Sequence, residues 1–160
     1  MRRQEVALPT AEDTRAWGER LGAVLRAGDL VVLTGDLGAG KTTLTQGIAE
    51  GLGVRGPVTS PTFVIARVHP SLVGGPALVH VDAYRLGGLA ELDDLDLDTS
   101  LEDSVTIVEW GHGLAEGLSE DRLEITLRGD DERLATLSAW GPRWDGEQAQ
   151  AELGTLAEVP

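Results

Sequence analysis

One stretch constrains what this 160-residue chain can fold into more than any other: Gly35-Asp36-Leu37-Gly38-Ala39-Gly40-Lys41-Thr42, which fits G-x-x-x-x-G-K-[ST]. Glycines at these positions let the backbone curl around an anion, so that successive N–H groups point inward at phosphate oxygens. A helix that starts directly afterwards turns its positive end toward the same phosphates. The motif therefore demands a strand before it and a helix behind it. Both are present, as the apolar run Leu30-Val31-Val32-Leu33 and as a helical stretch from Thr42 to about Leu52, closed by Gly53. Chance is a poor explanation, because the chain has 21 glycines but a single lysine. Random orderings of these residues contain the pattern in roughly 0.2% of cases.

Within the cradle the roles divide by chemistry. Leu37, Gly38, Ala39, Gly40, Lys41, Thr42 and Thr43 are the expected nucleotide-binding residues. Lys41 supplies a compact, rotatable ammonium for the β- and γ-phosphate oxygens, where a planar guanidinium has the wrong shape. The other 12 of the 13 basic residues are arginines, so the one lysine stands where arginine would not serve. The Thr42 hydroxyl is the expected magnesium ligand.

The remaining chain reads as alternating strands and helices. Thr10-Ala11-Glu12-Asp13 signals a helix start, and Trp17, Leu21, Val24 and Leu25 continue at helical spacing to Gly28-Asp29. Phe63 to Val68, Ala77 to Ala83 and Val105 to Val108 read as strands. Arg122 to Leu127 and Leu134 to Trp140 alternate apolar with polar residues, as a half-exposed antiparallel pair does. The expected fold is α/β: a single P-loop NTPase domain, residues 1–140, with a mainly parallel central sheet, flanking helices and a C-terminal antiparallel strand pair. Residues 141–160 are small and polar, and read as a weakly ordered tail.

Two further strand ends carry carboxylates. Leu78-Val79-His80-Val81-Asp82 and Val105-Thr106-Ile107-Val108-Glu109 are apolar runs closed by an acid, the arrangement that holds a magnesium ion or its water in P-loop proteins. Ligands of open α/β sheets bind beyond the carboxyl ends of the strands, so Asp82, Glu109 and the cradle are expected to converge. Either acid taken alone is an ordinary solvated strand end. Thr62, in Thr59-Ser60-Pro61-Thr62-Phe63, lies where a nucleotide-sensing, switch-like loop is often found, although a Ser-Pro turn reads equally well there. His80, inside a strand, reads as a packed or hydrogen-bonded core histidine rather than a base.

Charge and composition remove other classes. Lys+Arg 13 against Asp+Glu 27 gives a net charge of −14, which disfavours gripping a nucleic-acid backbone unaided. Between Arg85 and Arg122 fall 11 acids and no basic residue, a surface that repels RNA and suits a basic protein patch. Without cysteine there are no disulfides or thiolate sites, and no apolar run approaches the roughly 20 residues of a membrane span. A cytoplasmic protein is expected. A guanine-specific GTPase is excluded: the Asn/Thr-Lys-x-Asp specifier needs a second lysine, and no Asp has Gly three residues later. A small-molecule kinase on the same cradle is the alternative enzyme, although the natural lid region holds only acids. A nucleotide-gated docking module with negligible turnover is the alternative outside catalysis.

Taken together, Gly35 to Thr43, Ser60-Pro61-Thr62-Phe63, Asp82-Ala83-Tyr84-Arg85-Leu86 and Glu109-Trp110 resemble the TsaE (YjeE) P-loop ATPases of bacterial tRNA threonylcarbamoyladenosine synthesis, over about residues 5 to 140. The resemblance implies hydrolysis of ATP with Mg2+, slow or dependent on partners. It also implies assistance to a TsaD-like threonylcarbamoyl transferase held by a TsaB-like scaffold, with tRNA touched only indirectly. Lys41, Asp82 and Glu109 would form the catalytic set, and Thr42, Glu109 and Asp82 the metal set. Thr10, before the first helix, and Arg133, in the last strand pair, would complete the nucleotide pocket.

Overall fold

The computed structural model describes residues 2–35, 40–54, 66–82, 103–109, 121–129 and 133–156, with residues 2, 66, 67 and 82 described at the backbone only. Its elements open with β1 (Arg2–Leu8), α1 (Ala11–Val24), β2 (Leu30–Gly35) and α2 (Lys41–Leu52). Strands β3 (Ala66–His69), β4 (Ala77–Asp82), β5 (Ser104–Glu109), β6 (Arg122–Arg128) and β7 (Arg133–Trp140) follow, and α3 (Glu147–Thr155) comes last. The described strands form one seven-stranded sheet in the order β1-β7-β6-β2-β5-β4-β3. Its centre, β6-β2-β5-β4, is parallel, and the outer pairings β1–β7, β7–β6 and β4–β3 are antiparallel. The expected α/β architecture with a mainly parallel core and a C-terminal antiparallel pair is therefore present.

The hydrophobic patterns explain this order. Strand β5 is buried along its whole length and β2 nearly so, as parallel strands covered on both faces must be. Strand β6 alternates buried and half-exposed positions, which suits a strand nearer the rim. Helix α1 begins in a capping box: the Thr10 side chain accepts from the Asp13 amide, and the Asp13 carboxylate accepts from the Thr10 amide. From α1, Trp17 and Leu21 pack into one core with Leu44 and Ile48 of α2 and with Val31, Leu33, Val105 and Ile107 of the sheet.

Two regions differ from the sequence reading. Strand β1 was not anticipated; it buries Val6 and Leu8 and zips against β7 from Arg2↔Ala139 to Leu8↔Arg133. The segment read as a weakly ordered tail is instead folded onto the domain through residue 156. A 3-10 turn, Pro142–Trp144, and then α3 place Trp144, Ala149, Leu153 and Leu156 in the central core. The physical reason is a long-range clamp. Trp17 Nε1 donates to Leu156 O at 2.8 Å, Gln4 Nε2 donates to Leu153 O at 2.7 Å, and Arg20 donates to Thr155 O. Arg143 forks onto the buried Asp29 carboxylate at 2.9 and 3.1 Å and stacks on the Trp144 ring. Burial pushes the Asp29 carboxyl above its ordinary value, while Arg143 and the Arg26 amide pull it back.

Candidate functional site

The site is built where β2, the middle of the parallel core, hands over to α2. Strand β2 ends at Gly35, and α2 starts at Lys41 behind an N-cap, Gly40, whose φ of 100° is left-handed and favours glycine. The intervening residues 36–39 lie outside the described residues, and with them the expected contacts of Leu37, Gly38 and Ala39. Lys41 is buried, and its Nζ donates to Gly35 O at 2.7 Å, so the ammonium bridges the two ends of the cradle. The first turn of α2 carries no acid, which leaves the helix's positive end available to an anion. Thr42 and Thr43 sit half-buried in that turn.

A second cation meets the same point. A Cβ built on Gly40 would lie 3.1 Å from Arg133 Nε and 3.4 Å from its Cδ, so the Arg133 side chain lies directly over the N-cap of α2. Arg133 Nε is buried and, among the described residues, has no hydrogen-bond partner. Native proteins leave few such donors unmatched, and an unmatched donor costs about 1–3 kcal/mol. An ammonium, a guanidinium and a helix N-terminus therefore converge on one position, the electrostatic signature of a phosphate site.

The acids stand beside it. Glu109 closes β5 and pairs in register with Leu33 of β2 on one side and Asp82 of β4 on the other. The residue is only 4% exposed. The sheet thus sets Asp82 and Glu109 on adjacent strands at the end where β2 enters the cradle; the Asp82 side chain lies outside the description. His80, fully buried on β4, brings Nε2 to 3.4 Å from Glu109 Oε2. It is a core histidine, as its strand position suggested, and its neighbour is the site's carboxylate. Thr62 lies outside the described residues. Thr10 is the N-cap of α1, with its hydroxyl engaged by Asp13.

The sequence reading missed what holds α2 in place. Helices α1 and α2 meet backbone to backbone through glycines on both. A Cβ on Gly18 would lie 2.7 Å from Leu44 O, and one on Gly22 would lie 2.4 Å from Ile48 O. From the other side, a Cβ on Gly47 would lie 2.3 Å from Arg15 O, and one on Gly51 would lie 2.2 Å from Glu19 O. The signal was legible as two Gly-x-x-x-Gly pairs, Gly18/Gly22 and Gly47/Gly51, one turn apart on each helix. Arg15 and Glu50 add an ion pair across the seam.

Known proteins resemble this chain in sequence and fold. The sequence model of the family described as "Threonylcarbamoyl adenosine biosynthesis protein TsaE" matches residues 8–136. A Streptomyces coelicolor protein named "tRNA threonylcarbamoyladenosine biosynthesis protein TsaE" is 61% identical over 150 residues, covering 89% of this chain and 99% of that relative. A Bacillus subtilis protein of the same name is 43% identical over 137 residues, covering 84% of each chain. Among solved structures, the crystal structure of Bacillus subtilis YdiB superposes with a TM-score of 0.73 at 34% identity, covering 98% of this chain and 95% of that one. With the family pattern spanning most of the domain and relatives this similar over nearly their full length, the chain belongs to the TsaE family.

Proposed function

We propose that this chain is a Mg2+-dependent ATPase that assists formation of threonylcarbamoyladenosine beside the anticodon of tRNAs reading codons that begin with A. The observation that carries the nucleotide part is the meeting of buried Lys41 and the unpartnered Arg133 Nε at the left-handed N-cap of α2. The pathway rests on family membership and on the printed names of the relatives, "tRNA threonylcarbamoyladenosine biosynthesis protein TsaE".

In this reading Lys41, Arg133 and the amides of the cradle neutralise and orient the phosphates. The donor set suits a hard cation: the Thr42 hydroxyl and the Glu109 and Asp82 carboxylates are oxygen ligands. Among the described residues no cluster of three or more His, Cys, Asp or Glu forms a protein-only cage. Magnesium does not need one, because it is commonly shared between one or two carboxylates and the phosphates themselves. When bound, the ion screens charge on the transferring phosphoryl group. Glu109 and Asp82 then place it and the attacking water, and Thr62 reports the γ-phosphate to the surface. Turnover is slow alone and raised by partners, a TsaD-like transferase and its TsaB-like scaffold. The chain's charge of −14 keeps tRNA contact indirect and suits a protein partner. Among the described residues no helix is long and apolar enough to cross a membrane, in keeping with work in the cytoplasm.

The test is ATP turnover by the purified chain, alone and then mixed with TsaB and TsaD. Slow hydrolysis that rises on mixing and disappears in Glu109→Ala is the expected result. Fast hydrolysis indifferent to the pair refutes the partner role, and phosphorylation of a small acceptor without them would establish a kinase instead.

A further inference from the structure

His80 has no assigned task, yet it is the buried polar group whose situation is least comfortable. It is fully buried in the central parallel sheet, and neither ring nitrogen has a hydrogen-bond partner among the described residues. A buried imidazole that only fills space is an expensive filler, since each unmatched polar atom costs about 1–3 kcal/mol where an apolar ring would cost nothing. Its surroundings give the reason to keep it. Leu78 and Ile107, which pack in the α1–α2 core, share its strand parity, so His80 lies on the sheet face that carries the nucleotide helix. Asp82 and Glu109 pair in register two residues further along, and Glu109 Oε2 is 3.4 Å from Nε2. That distance is a few tenths of an ångström outside a well-formed N–H···O bond, so a small rotation of the carboxylate closes it.

We propose that His80 is a positioning residue for Glu109. The ring donates its Nε2–H to Oε2, which fixes the carboxylate plane and leaves Oε1 for the metal or its water. Hydrogen bonds of this kind orient ligating carboxylates in other metal sites, and they often tighten only in the loaded state. The inference rests on the reading of Glu109 as a magnesium ligand.

The experiment titrates Mg2+ by calorimetry into protein saturated with a non-hydrolysable ATP analogue. Four proteins are compared: wild type, His80→Phe, His80→Gln and Glu109→Gln. His80→Phe keeps the ring's bulk without its donor and is expected to bind Mg2+ about 10–100-fold more weakly. Metal-free binding of the analogue should change by less than about twofold, since the phosphate contacts are untouched. His80→Gln restores an N–H near the Nε2 position and should recover most of the metal affinity. Wild-type affinity in His80→Phe overturns the proposal, and so does an equal loss in His80→Gln, which would mean packing alone. If Glu109→Gln keeps its Mg2+ affinity, the metal reading of Glu109 falls and takes this inference with it. If Glu109→Gln loses affinity while His80→Phe does not, only the positioning role falls. Should His80→Phe not fold, nitrogen-15 imidazole spectra of the wild type decide. The expected ring is protonated at Nε2, with a resonance that shifts when Mg2+ joins the analogue in wild type but not in Glu109→Gln. A ring protonated at Nδ1 overturns the proposal.

Discussion

Replacing Gly47 by alanine tests whether the backbone contact between α1 and α2 is what seats the nucleotide helix. The added methyl would lie 2.3 Å from Arg15 O, about 1.1 Å inside the 3.4 Å at which ordinary contact begins. The next nearest atoms, Arg15 C at 3.0 Å and Cα at 3.1 Å, are also backbone, so no rotamer change relieves the clash. The helices must separate by about 1 Å along a seam that includes Gly18, Gly22 and Gly51. Overpacking of this sort costs about 1–3 kcal/mol, and a rigid obstacle puts it in the upper half of that range. Alanine returns about 1 kcal/mol through its better helix propensity, leaving a net loss of about 1–2 kcal/mol. At this chain length that lowers the thermal midpoint by roughly 2–8 °C. Circular-dichroism melts of Gly47→Ala and of a control, Gly146→Ala, would measure it. Gly146 has nothing within 4 Å of a built Cβ and a φ of −68°, so the control should stay within about 0.5 kcal/mol of wild type. Nucleotide affinity should fall in Gly47→Ala alone, because Lys41 and Gly40 move with the helix. A midpoint that rises, as for a solvent-facing Gly→Ala, would refute the reasoning.

Three other outcomes follow from the geometry. Arg133→Ala removes the guanidinium over Gly40; a charge-assisted phosphate contact of about 1.5–3 kcal/mol predicts a Kd for ATP weakened roughly 10–100-fold by calorimetry, with the melting temperature little changed. Arg143→Met removes the guanidinium from the buried Asp29 carboxylate, leaving it the Arg26 amide, and should cost about 3–5 kcal/mol in urea unfolding near pH 7. Its pH dependence has a definite sign. A carboxyl whose folded pKa is raised binds its proton more tightly when folded, so its stability contribution is complete below the unfolded value of 3.8 and is lost as pH rises through the folded value. Without Arg143 the raised pKa climbs further, so stability should fall more steeply from pH 4 to pH 7 than in wild type; a flat profile would contradict this. Trp144→Ala empties a site that is only 2% exposed and should destabilise by about 3–5 kcal/mol, measured by the same unfolding assay.

How much of this was legible depended on how far each signal reached along the chain. The run Leu30–Leu33, Gly40 and Lys41 encode their own geometry within a dozen residues, so the strand before the cradle and the helix behind it were readable together. Glu109 was readable because an apolar run that stops at an acid is a local event. The C-terminal segment was not, because Trp144, Ala149, Leu153 and Leu156 are separated by polar residues and find their partners at Trp17 and Gln4, more than a hundred residues away. Strand β1 was missed for a similar reason: Val6-Ala7-Leu8 is only a short apolar triplet behind four polar residues, and only the β7 edge makes the segment a strand. The neighbourhood of His80 and Glu109 depends on the register of two parallel strands, which no single stretch of sequence specifies.

The glycine seam also limits how binding can be transmitted. Helices separated by a layer of side chains can slide past one another by small rotamer changes, which is how shear motions proceed. Here the carbonyls of Arg15, Glu19, Leu44 and Ile48 sit against the glycine backbones of the opposite helix, and there is no soft layer to deform. Helix α2 cannot act as a piston along α1; the two move as one lever or not at all. Any displacement of the Lys41 end of α2 is therefore carried into α1 as well.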